Sequence, residues 1–218
     1  MPPDRVTNDQ QQHWSSVFAD NPDMYGTHPS EPGCFAVDVF LRDASRDVLE
    51  LGAGQGRDTI AFLKVGLRVT ALDYAADALR RIRERALGLG VAETLTTVVH
   101  DIREPLLLTA ESVDAVYSHM LFNMALSTRE LDALTAEVHR VLRSGGLHIY
   151  TVRHTGDPHY ETGVSRGDAM FEHGGFVVHF FDRPLVDRLA AGYTFLELVE
   201  FEEGDLPRRL WRITLRKE

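Results

Sequence analysis

Three things are scarce in this 218-residue chain. It has one cysteine, Cys34, so no internal disulfide can form and no set of thiols can hold a structural zinc ion. A reducing cytoplasm is the expected setting. It has no window of the ~18 apolar residues a spanning helix needs, and Met1 to Trp14 lack the basic start and apolar stretch of a signal peptide. Neither membrane insertion nor export is expected. Positive charge is short as well: 23 basic against 33 acidic residues give a net charge of −10, which repels a phosphate backbone and argues against nucleic acid as a partner. Internal repeats and low-complexity segments are also missing. What is there is 44% apolar, the share of a chain that buries one core, at a length that suits one α/β domain.

Residues 1–44 carry Pro2, Pro3, Pro22, Pro29 and Pro32, which break any long helix, together with Trp14, Phe18, Tyr25 and Phe35, more aromatics than disorder usually keeps. They read as an arm: a short helix from Trp14 to Phe18, a proline-punctuated crossing, and a helix beginning after Ser30-Glu31-Pro32, where serine caps and proline sits in the first turn. Residues 45–218 form the domain proper. Asp47 to Gly52 is a strand stopped by glycines, Thr59 to Val65 a helix closed by Gly66, and Arg68 to Asp73 a second strand. Ala75 to Leu89 is an amphipathic helix with Leu79, Ile82, Ala86 and Leu89 on one face. Strands follow at Thr94–Val99, Val113–Ser118 and Leu147–Val152, the last two separated by a helix from Thr128 to Leu142 that Ser144-Gly145-Gly146 ends. A short helix, Pro184 to Ala191, precedes two strands, Thr194–Phe201 and Arg208–Arg216, joined as an antiparallel hairpin.

Strands alternating with helices predict a doubly wound α/β domain, a mostly parallel sheet with helices on both faces and a ligand at the carboxyl ends of the strands. The sharpest feature lies at one of those ends: Glu50-Leu51-Gly52-Ala53-Gly54-Gln55-Gly56-Arg57-Asp58. Glycines here turn the backbone tightly and let a ligand approach. A dinucleotide loop would read G-x-G-x-x-G, but the sixth position is Arg57 and the third glycine comes one residue early. Asp73 closes the second strand, where a carboxylate can accept both hydroxyls of a ribose. His100-Asp101-Ile102 closes the third, offering an acceptor for an exocyclic amine and an apolar side chain for a purine face. Three carboxylates without a clamping lysine suit a cationic nucleoside better than a pyrophosphate.

These motifs, with Asp114-Ala115-Val116-Tyr117-Ser118 and the step Leu142-Arg143-Ser144-Gly145-Gly146, resemble the class I S-adenosylmethionine-dependent methyltransferases. Ser144 stands where that family commonly has proline. The resemblance implies a Rossmann-like seven-stranded sheet whose last strand is antiparallel, and S-adenosylmethionine as cofactor with S-adenosylhomocysteine as product. It implies that Gly52, Gly54 and Gly56 make room for the cofactor and that Glu50 lies by its amino acid portion. Asp73 would hold the ribose, Tyr74 and Ile102 would sandwich the adenine, Asp101 would accept from its amino group, and Ser118 and His119 would sit beside the sulfonium.

The acceptor is harder to read, because an activated methyl group needs mainly alignment and exclusion of water. Ser118-His119-Met120-Leu121 is not the Asn/Asp-Pro-Pro-aromatic sequence of nucleobase amino-methylases, and Cys34 lies far from any strand end. Residues 154–181 are a long connection, expected to act as a substrate lid, that holds four of the ten histidines and five glycines. His154, His159 and His119 are the candidate proton-handling groups, with Arg153, Tyr160, Trp14 and Tyr25 against the substrate. No metal site is expected, since no carboxylate or thiolate partner accompanies the histidines. The layout is weakly similar to the tellurite-resistance and thiopurine methyltransferase branch, which points to a small-molecule acceptor such as a thiol or metalloid oxyanion. The expected protein is a monomer or homodimer. Competing readings are a methyltransferase for protein or RNA, an NAD-dependent oxidoreductase, and a non-catalytic S-adenosylmethionine-binding protein.

Overall fold

The computed structural model describes residues 10–14, 16, 17, 20, 21, 24, 26–204 and 208–218. Phe18 and Tyr25 of the arm, and Asp205-Leu206-Pro207 of the hairpin turn, lie outside the described residues. Residues 10–14 are helical. The first full helix, α1 (Glu31–Arg42), begins where the sequence places it: Ser30 Oγ accepts from the Gly33 amide at 2.9 Å and proline occupies the first turn.

Alternation then proceeds through β1 (Asp47–Leu51), α2 (Arg57–Lys64), β2 (Arg68–Asp73), α3 (Ala76–Gly88), β3 (Leu95–Val99), β4 (Val113–His119), α4 (Thr128–Val141) and β5 (Leu142–Arg153). Three short strands follow, β6 (Val164–Gly167), β7 (Met170–His173) and β8 (Phe176–His179), then α5 (Arg183–Leu189), β9 (Tyr193–Glu203) and β10 (Arg208–Lys217). The seven-stranded sheet has the order β3-β2-β1-β4-β5-β10-β9. Its central strands are parallel, while β10 runs antiparallel to both β5 and β9. The expected sheet with an antiparallel last strand is therefore present. Its order reverses at β1, between β2 and β4, the kind of crevice in which open α/β sheets bind ligands.

Apolar clusters cover both faces. Phe40, Phe62, Leu79, Ile82 and Tyr117 pack under one, and Leu51, Phe122, Leu134, Val138 and Ile213 under the other. Phe40 of α1 belongs to the first cluster, so this helix is part of the domain core. No helix among the described residues is long and apolar enough to cross a membrane.

Several local expectations change. Helix α3 stops at Gly88, so Leu89 turns outward and is 46% exposed instead of sharing the buried face of Leu79, Ile82 and Ala86. Helix α4, opened by a Ser127/Glu130 capping box, ends at Val141 without help from the glycines. Those glycines lie inside β5: Gly145 has φ 77°, and a Cβ on Gly146 would meet the backbone oxygens of Arg143 and Asp114 at 2.8 and 2.9 Å. They let β5 settle against β4 past a register shift. The connection after β5 is also more ordered than a loop. It folds into a three-stranded antiparallel sheet, β6-β7-β8, turned at Asp168-Ala169 and Gly174-Gly175, four residues with positive φ.

Candidate active site

A cavity of about 480 Å³ opens at the carboxyl ends of β1, β2 and β4. Its floor is the glycine loop. Gly52, Gly54 and Gly56 all take positive φ, and a Cβ on Gly52 would lie 2.9 Å from Leu121 while one on Gly56 would press into Ile82 at 2.5 Å. Glycine is required here both for conformation and for closeness.

Asp58 fixes the far side of the loop. Its carboxylate accepts from the Ser30 amide and hydroxyl, both at 2.7 Å, and from the Tyr117 hydroxyl at 2.9 Å, tying α2 to α1 and β4.

Glu50 and Asp73 are the buried carboxylates of this end. Burial, reinforced by the nearby charge of Asp58, pushes the Glu50 carboxyl well above the usual carboxylate range, although the Thr59 hydroxyl donates to it. The Asp73 carboxyl is also raised by burial. Its two oxygens accept from the Gly54 and Ala75 amides, each at 2.8 Å, so it shapes the glycine loop as well as facing the cavity. Tyr74 and Ile102 line the same end. Asp101 does too, but it caps the turn after it through the Arg103 amide and is ion-paired with the Arg103 guanidinium. Burial alone would raise the Asp101 carboxyl; the contacts with Arg103 outweigh it and hold the group below its ordinary range.

The rest of the lining is largely apolar and rich in methionine: Met120, Leu121, Met124 and Leu126 from the segment after β4, with Trp14 and Met24 of the arm. One polar cluster interrupts it. His119 stands with Nδ1 2.8 Å from the Thr151 hydroxyl and Nε2 2.9 Å from Glu203 at the end of β9, whose other oxygen accepts from Arg57 at 2.9 Å. The Thr151 oxygen also accepts the Met120 amide at 2.9 Å, so one hydroxyl joins the start of the segment after β4 to the His119 ring. Burial would raise the Glu203 carboxyl, but His119 and Arg57 bring it down to about 2.

Of the residues expected at the site, Glu50, the three glycines, Asp73, Tyr74, Asp101, Ile102, His119 and Trp14 come together around this cavity. Tyr25 lies outside the described residues. Ser118 does not reach the cavity lining: it is fully buried within β4, and its hydroxyl has no partner among the described residues.

The expected pocket of Arg153, His154, His159 and Tyr160 is not formed either, because each of these side chains is engaged elsewhere. Arg153 is buried in an ion pair with Asp157 and lies over the Phe180 ring. His154 is stacked on Trp211 at 4.4 Å with Nδ1 accepting the Gly156 amide, and its burial lowers the ring's proton affinity. His159 lies against His173 and 2.9 Å from Arg153, and Tyr160 packs edge-on to Phe171 and Phe180.

Sequence reasoning missed Glu203, Arg57 and the methionines. Arg57 stood inside the quoted loop and could have been found, whereas Glu203 is 146 residues away from it.

The small sheet still bears on the site, through the arm. The Gln10 side chain donates to the Gly175 carbonyl at 2.6 Å and accepts from the Val177 amide at 3.0 Å, and His13 and Trp14 meet Phe176 edge-on at 4.4 and 5.0 Å. Gln10, Gln11, Trp14 and Met24 thereby form one side of the cavity.

Residues 48–146 match a methyltransferase domain family. Phosphoethanolamine N-methyltransferase 1 of Triticum aestivum is 33% identical over 108 residues, 49% of this chain and 21% of that protein. An uncharacterized methyltransferase of Mycobacterium bovis is 34% identical over 111 residues, 51% of this chain and 41% of that protein. The chain thus spans less than half the length of these relatives. Among solved structures, the Burkholderia thailandensis 1,6-didemethyltoxoflavin-N1-methyltransferase, with bound 1,6-didemethyltoxoflavin and S-adenosylhomocysteine, superposes with a TM-score of 0.77 at 20% identity, covering 100% of this chain and 91% of that one. TehB from Haemophilus influenzae superposes at 0.68 with 16% identity, covering 94% and 67%. The matched segment carries the glycine loop, and the chain shares the fold of these solved methyltransferases.

Proposed function

We propose that this protein transfers a methyl group from S-adenosylmethionine to a small-molecule acceptor held in the same cavity. The observation that carries the reading is the mixed lining of that cavity: buried carboxylates and positive-φ glycines at the ends of β1 and β2, with apolar residues and one polar cluster contributed by the segment after β4, the arm and the end of β9. The first end suits the cofactor. Glu50 would face its ammonium group, Asp73 its ribose hydroxyls, and Tyr74 and Ile102 its adenine. When bound, S-adenosylmethionine supplies a methyl carbon already activated on a sulfonium, so in-line placement of a nucleophile is the chief demand.

His119 serves placement in this reading: Nδ1 pairs with Thr151 and Nε2 lies 2.9 Å from Glu203, which sets the ring beside that carboxylate. The arm and the small sheet, joined by Gln10, would form the lid over the acceptor, a closure that suits a small molecule better than a macromolecule. Of the acceptors suggested by sequence, a neutral thiol fits the apolar wall. An oxyanion would meet five carboxyl side chains in the lining against three arginines, of which Arg57 and Arg103 are already ion-paired. The lone Cys34 supports a reducing, cytoplasmic setting.

The test is titration with S-adenosylmethionine and S-adenosylhomocysteine, followed by a product screen over thiols, amines, heteroaromatics, selenite and tellurite. Binding of both with turnover on a neutral acceptor supports the reading; absence of binding defeats it.

A further inference from the structure

The hairpin that ends the sheet delivers one carboxylate to the acceptor end of the cavity. Glu203 lies at the last residue of β9 with a quarter of its side chain exposed. Oε1 accepts from Arg57, and Oε2 lies 2.9 Å from His119 Nε2 but is itself fully buried. A carboxylate oxygen has two lone pairs, so Oε1 keeps an acceptor position after the Arg57 contact. The cavity that Glu203 lines also carries Met120, Leu121, Met124, Met24 and Trp14. Thioethers and an indole pack well on flat π-faces, and the charge of Glu203 is already matched by Arg57. The remaining acidic excess disfavours an anion. An ionised carboxylate pinned between two cationic or N–H-bearing groups can only accept hydrogen bonds.

We propose that Glu203 is the acceptor-binding group of this cavity, and that the acceptor is an uncharged, flat, largely apolar molecule carrying a weakly acidic ring N–H or aryl O–H. Glu203 accepts that hydrogen bond and fixes the molecule's rotation against the methionine wall. Arg57 and His119 are positioning residues that hold the carboxylate. Arg57 also joins it to the first turn of α2, directly after the glycine loop, so acceptor and cofactor ends share one rigid link. The inference rests on the methyltransferase reading above.

The experiment measures binding to the S-adenosylhomocysteine-saturated full chain, so it needs no knowledge of the natural acceptor and no turnover. Four probes are used: benzimidazole with a ring N–H, 1-naphthol with an aryl O–H, naphthalene with neither, and 1-naphthoate as an anion of similar shape. Benzimidazole or 1-naphthol, or both, should bind at least about tenfold more tightly than naphthalene and 1-naphthoate, and the tighter of the two identifies the donor type. Glu203→Gln should weaken the donor-bearing probe about tenfold, leave naphthalene unchanged, and leave S-adenosylhomocysteine affinity within about twofold. Equal binding of all four probes, or tighter binding of 1-naphthoate, overturns the proposal while the cofactor reading stands. A loss of S-adenosylhomocysteine affinity in Glu203→Gln also overturns it, by moving Glu203 to the cofactor end. Failure of the wild-type chain to bind S-adenosylhomocysteine removes the methyltransferase reading itself, and this inference with it.

Discussion

At the proposed cofactor end of the cavity, Glu50, the three glycines and Asp73 come from one stretch of chain, the final residues of two adjacent parallel strands and the segment between them. At the acceptor end, Gln10, Trp14, His119 and Glu203 come from the arm, the end of β4 and the end of β9, segments remote in sequence that meet only because the sheet and the small sheet bring them together. The first end is a local construction, set by glycine conformation and strand register. The second is a tertiary construction, held by individual contacts such as the Gln10 clip and the Arg57–Glu203–His119 cluster. Damage to the first should therefore cost the fold or the cofactor, and damage to the second should cost only closure and acceptor binding.

The largest effect is expected at Gly56, where alanine needs a left-handed backbone and drives Cβ into Ile82. Gly56→Ala should lower stability by about 2–4 kcal/mol, the sum of the conformational and overpacking costs. Urea unfolding measures it; a loss below about 1 kcal/mol would mean the loop relaxes freely. Next comes Asp73→Ala, which removes an acceptor from the Gly54 and Ala75 amides and the proposed ribose contact together. Cofactor affinity should fall by about 1.5–3 kcal/mol, and calorimetry showing unchanged affinity would break the ribose assignment.

At the acceptor end, Gln10→Ala should leave global stability nearly intact but loosen the arm by about 1 kcal/mol. Limited proteolysis should then cut residues 10–30 faster, and an unchanged cutting rate would mean that the aromatic contacts to Phe176 alone hold the arm.

The smallest effect concerns acid. The folded state holds the Glu203 carboxyl at about 2 against an ordinary 4.5, so its stabilisation is present above 4.5 and is lost as pH falls through that interval. Glu203→Gln should be less stable than wild type at pH 6 by about 1 kcal/mol or less, with the gap narrowing as pH falls below 4.5 and closing only near pH 2. A gap that widens on acidification would contradict the assigned pairing.

The same division explains what the sequence makes legible. Short apolar runs closed by glycines mark β1 and β2, and the loop between them is visible at once, because each depends on neighbours within a few residues. The hairpin β9–β10 is legible for the same reason. The small sheet was readable in principle, since Gly174-Gly175 is a strong two-residue hairpin signal. It was masked by strands of only four residues and by the concentration of histidines, which drew attention to chemistry.

Those histidines show why the rest was hidden. Stacking of His154 on Trp211 and the Arg153–Asp157 ion pair satisfy these side chains away from the cavity, and no local pattern announces such partners. Glu203 is the converse case, an unremarkable glutamate in an acidic turn that becomes functional only where β9 ends beside β4's His119.

The central claim is that the carboxylates at the ends of β1 and β2 hold a cationic nucleoside. Burial raises the Glu50 carboxyl above its ordinary range, and an ammonium group brought against it favours the carboxylate. The decisive measurement is calorimetric titration of the chain and of Glu50→Gln with S-adenosylhomocysteine. The account predicts one-to-one binding by the wild type that Glu50→Gln weakens about tenfold. No binding by the wild type, or equal affinity in Glu50→Gln, would contradict it.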